Sequence, residues 1–277
     1  MGFGVAGDWE AETFMPVYRL GNGDDIFDSL NVAGWTDDSR VFGGNGDDTI
    51  TARAVNFSAN DSLRIFGGNG EDTLSLDAGN SFAFGGNGDD TLFSSGGLEN
   101  TLSGGNGDDL LVSFGGGSGM GRGNTLTGGL GDDTFRFTNP GNLVVTADAG
   151  NDRVVSDGDV FLGPTDVITD YRAGELIELR TYGGPDEVPP YTRIDGVALI
   201  PDPIASPDAA GRFRPVVGDG QYALIRGDFA GGGVFNVASG EDDLLVVYDS
   251  FNGDDDNIAQ GSLVLLGVTD PGSVLIG

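Results

Sequence analysis

Aspartate recurs at the sixth position of a glycine-rich string that this chain repeats seven times, as Asp25, Asp48, Asp72, Asp90, Asp109, Asp133 and Asp152. The strings read Leu20-GNGDDIF, Gly43-GNGDDTI, Gly67-GNGEDTL, Gly85-GNGDDTL, Gly104-GNGDDLL, Gly128-GLGDDTF and a degraded Ala147-DAGNDRVV. Glycines permit the positive φ of a tight turn, whose carbonyls then converge on one point. A carboxylate added to such a turn gives the all-oxygen donor set of a hard cation such as Ca²⁺. A disordered acidic linker has a similar composition. It does not explain why each aspartate is followed two positions later by a large apolar residue: Phe27, Ile50, Leu74, Leu92, Leu111, Phe135 and Val154.

The starts of the strings lie 23, 24, 18, 19, 24 and 19 residues apart, at or a little above 18. Such a period describes stacked coils, each contributing one apolar residue to a narrow continuous core. Short runs lead into the loops at Ser39-RVF, Ser62-LRIF, Ser81-FAF, Asn100-TLS and Asn124-TLT. With Val41, Ile65, Ala83, Leu102 and Leu126 facing inward, Phe42, Phe66 and Phe84 line the outer face; a register shifted by one residue puts the phenylalanines inside instead. The turns opposite the full motif, such as Leu76-DAGN, Gly96-GLEN and Phe114-GGGSGMGRGN, lack the aspartate and vary in length, so a cation row is expected along one edge only.

The repeat resembles the RTX (repeats-in-toxin) nonapeptide G-G-x-G-x-D-x-U-x, where U is a large apolar residue. The resemblance covers residues 20 to 156. It implies an all-β chain: a calcium-bound, right-handed parallel β-roll or β-helix followed by an antiparallel β cap. The domains expected are an N-terminal cap at 1–18, the roll at 19–156 and a C-terminal cap at 157–277. Each ion is expected between successive loops, held by Asp25, Asp48, Asp72, Asp90, Asp109, Asp133 and Asp152, by the first-position Gly43, Gly67, Gly85, Gly104 and Gly128, and by the third-position Asn45, Asn69, Asn87, Asn106 and Leu130. Seven loops leave six gaps, so about five or six ions form one row. Gly163-PTDVITDYRAGELIEL is similar to the segment that closes the roll in serralysin-type RTX proteins, which adds Asp166 and Asp170 as ligands; Glu178 stands where that segment often has aspartate.

Composition limits the rest. There are 44 acidic residues against 13 basic ones, for a formal net charge of −31, and every basic residue is arginine. Such a chain is repelled by nucleic acid and by anionic lipid. Cys and His are absent, which removes disulfides, the usual zinc sites, thiol nucleophiles and imidazole bases. With aspartate committed to the loops and only about 18 residues before the first repeat, catalysis is not expected. The N-terminal MGFGVAGDWEAETF does not read as a secretory leader, and no apolar run is long enough to span a membrane. The tail Val264-LLGVTDPGSVLIG resembles the uncleaved C-terminal signals of type I secretion substrates.

These features describe a secreted, extracellular or cell-surface protein that folds on Ca²⁺ outside the cell and serves a structural role, as an S-layer-like sheet or a filament. Its expected partners are Ca²⁺, copies of itself or a cell-surface polysaccharide, and the type I secretion machinery. Competing readings are a secretion or folding module of an RTX enzyme and an ice-binding or adhesive roll. The adhesive reading draws on Arg226-Gly227-Asp228.

Overall fold

The computed structural model describes residues 15–55, 62–96, 99–114, 123–138, 143–180, 190–201, 212–249 and 261–277. Residues 1–14 of the expected N-terminal cap and residues 115–122, read from the sequence as one of the turns opposite the motif, lie outside them. Strands alternate between two sheets. The first twelve are β1 Val17–Asn22, β2 Ile26–Asp28, β3 Arg40–Asn45, β4 Thr49–Arg53, β5 Arg64–Asn69, β6 Thr73–Asp77, β7 Phe82–Asn87, β8 Thr91–Gly96, β9 Thr101–Asn106, β10 Leu110–Ser113, β11 Thr125–Leu130 and β12 Thr134–Thr138. Odd strands pair in parallel in one sheet and even strands in the other, so each coil gives one strand to each face. This is an all-β architecture with parallel sheets, consistent with a β-roll.

Side chains alternate across each strand. Val41, Ile65, Ala83, Leu102 and Leu126 are buried from one sheet, and Phe27, Ile50, Leu74, Leu92, Leu111 and Phe135 meet them from the other. The first of the two registers is therefore the one adopted, and Phe42, Phe66 and Phe84 stand outside. Phe42 and Phe66 stack with centroids 4.7 Å apart, and Phe66 and Phe84 follow at 6.5 Å. The first coil is closed by Tyr18, Phe27 and Trp35, whose rings lie 5.4 to 5.8 Å apart, with the indole N–H donating to the Arg53 carbonyl. Trp35 comes from the connection between β2 and β3, an insertion whose role the repeat pattern does not announce.

Beyond β12 the chain departs from the expected division at residue 156. Strands β13 Val144–Ala147 and β14 Val160–Leu162 form an antiparallel hairpin, so the degraded seventh string is not a coil. Val154 is exposed rather than stacked in the core. Its place is taken by Ile177. Strands β15 Asp166–Ile168 and β16 Leu176–Arg180 pair in parallel with β11 and β12 and make the seventh coil.

Eight further strands complete the described chain: β17 Thr192–Arg193, β18 Ala198–Pro201, β19 Phe213–Val216, β20 Gln221–Gly231, β21 Val234–Val237, β22 Asp243–Tyr248, β23 Gly261–Leu265 and β24 Leu275–Ile276. Strands β23 and β24 pair in parallel with β15 and β16, so the C-terminal segment is the eighth coil rather than part of an antiparallel cap. The antiparallel portion is β22, β20, β21, β14, β13, β19 and β18, which extends the first sheet beyond β23. From Leu244 onward strand β22 is apolar and buried, because both its faces are covered. Leu244, Val246 and Tyr248 face the roll core, while Leu245 and Val247 join a second core with Phe161, Phe235 and Val264. Arg226, Gly227 and Asp228 sit inside β20, with the Arg226 guanidinium donating to the Glu241 and Thr269 carbonyls. That tripeptide is a strand segment, not a displayed loop.

Candidate metal centre

The two edges of the roll solve the same backbone problem with different side chains. Where a coil turns, the N–H of the corner residue must find an acceptor on the next coil. On the repeat edge the acceptor is the sixth-position aspartate. The N–H groups of Asp25, Asp48, Asp72, Asp90 and Asp109 donate to Oδ1 of Asp48, Asp72, Asp90, Asp109 and Asp133 at 2.7 to 3.0 Å. On the opposite edge the acceptors for Leu63, Ser81 and Asn100 are short neutral side chains. Leu63 N–H donates to Ser81 Oγ, that of Ser81 to Asn100 Oδ1, and that of Asn100 to Asn124 Oδ1.

The edges differ in what is left over. Each asparagine amide finds partners: Asn100 Nδ2 donates to Ser94 Oγ and the Ala78 carbonyl, and Asn124 Nδ2 donates to Ser113 Oγ. On the aspartate edge, Oδ2 of Asp48, Asp72, Asp90 and Asp109 is buried with no hydrogen-bond partner. A buried, partnerless anionic oxygen is costly. Here the same orphan recurs at four consecutive loops.

Each orphan oxygen points into a cradle kept open by glycine. A Cβ on Gly43 would collide with Asp48 Oδ2 and lie 2.5 Å from the Gly67 carbonyl oxygen. The same holds for Gly67 with Asp72 and the Gly85 carbonyl at 2.7 Å, and for Gly85 with Asp90 and the Gly104 carbonyl at 2.6 Å. Gly104 likewise faces Asp109. One carboxylate oxygen of a loop and one carbonyl oxygen of the next loop thus share a small space, which fits a hard divalent cation with oxygen ligands. Among the described residues no three acidic side chains cluster in the usual manner of a metal site. The cradle instead combines a single carboxylate per loop with backbone oxygen.

Burial pushes the Asp90 and Asp109 carboxyls up to about 7 and Asp72 to about 6, and neighbouring carboxylates add to the rise; Asp48 and Asp133 are raised by burial too. Folded-state values above the unfolded one mean that the metal-free roll gains stability in acid. That gain is complete below about pH 4 and is lost as pH rises through 6 to 7. In chelator, circular dichroism is therefore expected to show more β structure at pH 5 than at pH 8; a flat or inverted profile would contradict the burial of these carboxylates.

The other expected ligands separate into groups. Side chains of Asn22, Asn45, Asn69, Asn87 and Asn106 form an exposed ladder, each Nδ2 donating to the preceding Oδ1, and Leu130 ends it in solvent. Their backbone carbonyls, not their side chains, face the loops: those of Asn45, Asn69, Asn87, Asn106 and Leu130 accept from Gly23, Gly46, Gly70, Gly88 and Gly107. Asp25 is only half buried, and Leu20 places a Cβ where the later loops have glycine.

The other three expected ligands lie outside the run of orphan oxygens. Asp152 is exposed on the β13–β14 connection and accepts from Val154 N–H, remote in register from Asp133. Asp166 lies on the opposite, neutral edge: its oxygens accept from Asn124 N–H and Ser113 Oγ, and burial raises its carboxyl to about 6. Asp170 is engaged by the Gly128 and Gly129 N–H groups at 3.0 and 2.9 Å. Sequence reasoning missed Ser81, Asn100 and Asn124, whose signal is their position immediately before each odd strand, matching the aspartate before each even one. Neither any family model nor any curated protein matches this chain.

Proposed function

We propose that this chain is an extracellular calcium-binding protein that folds into a right-handed β-roll when Ca²⁺ fills the aspartate edge. The observation that carries the proposal is the run of four buried, partnerless Oδ2 atoms at Asp48, Asp72, Asp90 and Asp109, each beside a glycine cradle. Right-handedness follows from the strong preference of parallel crossovers. A bound Ca²⁺ supplies positive charge and six to eight coordination positions. The chain's own groups do the rest. Oδ1 of each aspartate fixes the corner N–H of the preceding coil, Oδ2 and the next first-position carbonyl face the cation, and the stacked apolar column holds the coils in register.

Metal-free, the carboxylates repel and the glycine-rich loops retain high conformational entropy. Binding free energy is then folding free energy. Affinities of about 10⁻⁴ to 10⁻³ M, typical of extracellular modules, keep the chain unfolded during export by a type I route and fold it outside. There it serves a structural, self-assembling role at a surface or in a matrix. The outer Phe42, Phe66 and Phe84 strip, half open to solvent, supports association with copies of itself.

At pH 8, purified protein in chelator is expected to show little β signal by circular dichroism and a cooperative gain on addition of millimolar Ca²⁺. A fully folded spectrum in chelator that Ca²⁺ leaves unchanged would sink the proposal. Electron microscopy with and without Ca²⁺ tests the assembly: ordered sheets or filaments support it, and dispersed monomers favour a folding module.

A further inference from the structure

The orphan oxygens stop one loop short of the last repeat. Asp133 is built like the four aspartates before it. It is buried, its Oδ1 accepts the Asp109 N–H at 3.0 Å, and its Oδ2 faces the space where a Cβ on Gly128 would stand. Yet its Oδ2 has a partner, Nη2 of Arg172 at 3.4 Å. The same Nη2 lies 2.8 Å from Glu175 Oε1 and donates to the Gly131 carbonyl at 2.8 Å. Glu175 is held in turn by the Arg172 backbone N–H at 2.7 Å and by Nε at 2.9 Å.

Register explains the substitution. Leu176 pairs with Thr134, and its N–H donates to the Asp133 carbonyl as the Thr134 N–H does to that of Asp109. Glu175 thus occupies in the seventh coil the corner that Asp133 occupies in the sixth, and it is buried. Two buried carboxylates from adjacent coils and a loop carbonyl therefore converge on one positive charge, as they do in a cation site. The charge is a guanidinium that enters from the surface on a half-exposed side chain. A planar fork suits this arrangement, since it bonds two carboxylates and a carbonyl at once.

We infer that Arg172 is a built-in counter-ion that fills the fifth cation position of the row and ends it, so that the roll takes four Ca²⁺ ions and its C-terminal coils need none. The inference rests on the calcium reading and deepens it. It gives the row a fixed end at the junction of the sixth and seventh coils.

Ion counting by equilibrium dialysis tests it. Wild type is expected to bind four ions, Asp109→Asn three, and Asp133→Asn still four, because Asp133 serves the guanidinium. Arg172→Gln is expected to bind a fifth ion between Asp133 and Glu175. A loss of one ion in Asp133→Asn, or five ions in wild type, overturns the inference while leaving calcium binding intact. Wild type that binds no ions removes the calcium reading and this one with it. If Arg172→Gln fails to fold even in Ca²⁺, the Asp133→Asn count decides alone.

Discussion

Replacing Asp48, Asp72, Asp90 and Asp109 together by asparagine is expected to give a chain that folds in chelator at neutral pH and ignores added Ca²⁺. The reasoning comes from the opposite edge. There Asn100 and Asn124 perform the corner task with a neutral amide, accepting the preceding N–H through Oδ1 and spending Nδ2 on nearby oxygens. On the aspartate edge Oδ1 has the same duty, and Oδ2 faces the first-position carbonyl of the next loop. An amide nitrogen in that place donates where a carboxylate oxygen only repels. The change removes four buried charges, each costing on the order of several kcal/mol when left unpaired. The far-ultraviolet spectrum in chelator reads the outcome directly. A variant that stays unfolded there, or that still needs Ca²⁺, would show that the ladder does not work as described.

The second large effect is expected at Gly86. Its φ of +130° belongs to glycine, and a Cβ there would strike the Gly68 carbonyl of the preceding coil. Backbone strain alone costs about 1–3 kcal/mol. The collision adds to it, because relief requires the coils to part and break the Oδ1 bonds on both sides. Gly86→Ala is expected to lose the calcium-induced transition or to move its midpoint at least tenfold. Gly174→Ala is the control, since Gly174 has a φ of +110° with nothing near its would-be Cβ, so it pays strain without collision. Equal midpoints for the two variants would mean that close coil stacking contributes little.

What the sequence made legible was local. Aspartate, glycine and an apolar residue at fixed offsets within one loop announce the stacked coil, and Phe27 through Phe135 fall where that pattern puts them. The confinement of the orphan oxygens to one edge also follows the absence of aspartate from the other turns. What stayed hidden depends on distant pairing. The degraded string at Ala147 keeps its aspartate but lacks the double glycine, and its strand pairs with β14 in a hairpin instead of stacking on β11. The seventh coil comes from Asp166–Arg180 because Ile168, Ile177 and Leu179 repeat the buried positions of Leu126, Phe135 and Phe137. No glycine motif marks that coil. Nor does spacing reveal that Arg172 reaches back to Asp133.

In the first six coils, all variation in coil length is borne by one side of the molecule. The aspartate corners always join Asn45 to Thr49, Asn69 to Thr73, Asn87 to Thr91, Asn106 to Leu110 and Leu130 to Thr134 in the same number of steps, whereas the neutral corners stretch from Asp77–Phe82 to Asp28–Arg40 and, after β12, admit a whole hairpin. One side therefore sets the pitch like the teeth of a rack, and the other is a row of sockets. New material spliced at the sockets would be carried outward without disturbing the spacing, so a lineage of such chains can diversify its surface there while the aspartate rack stays constant.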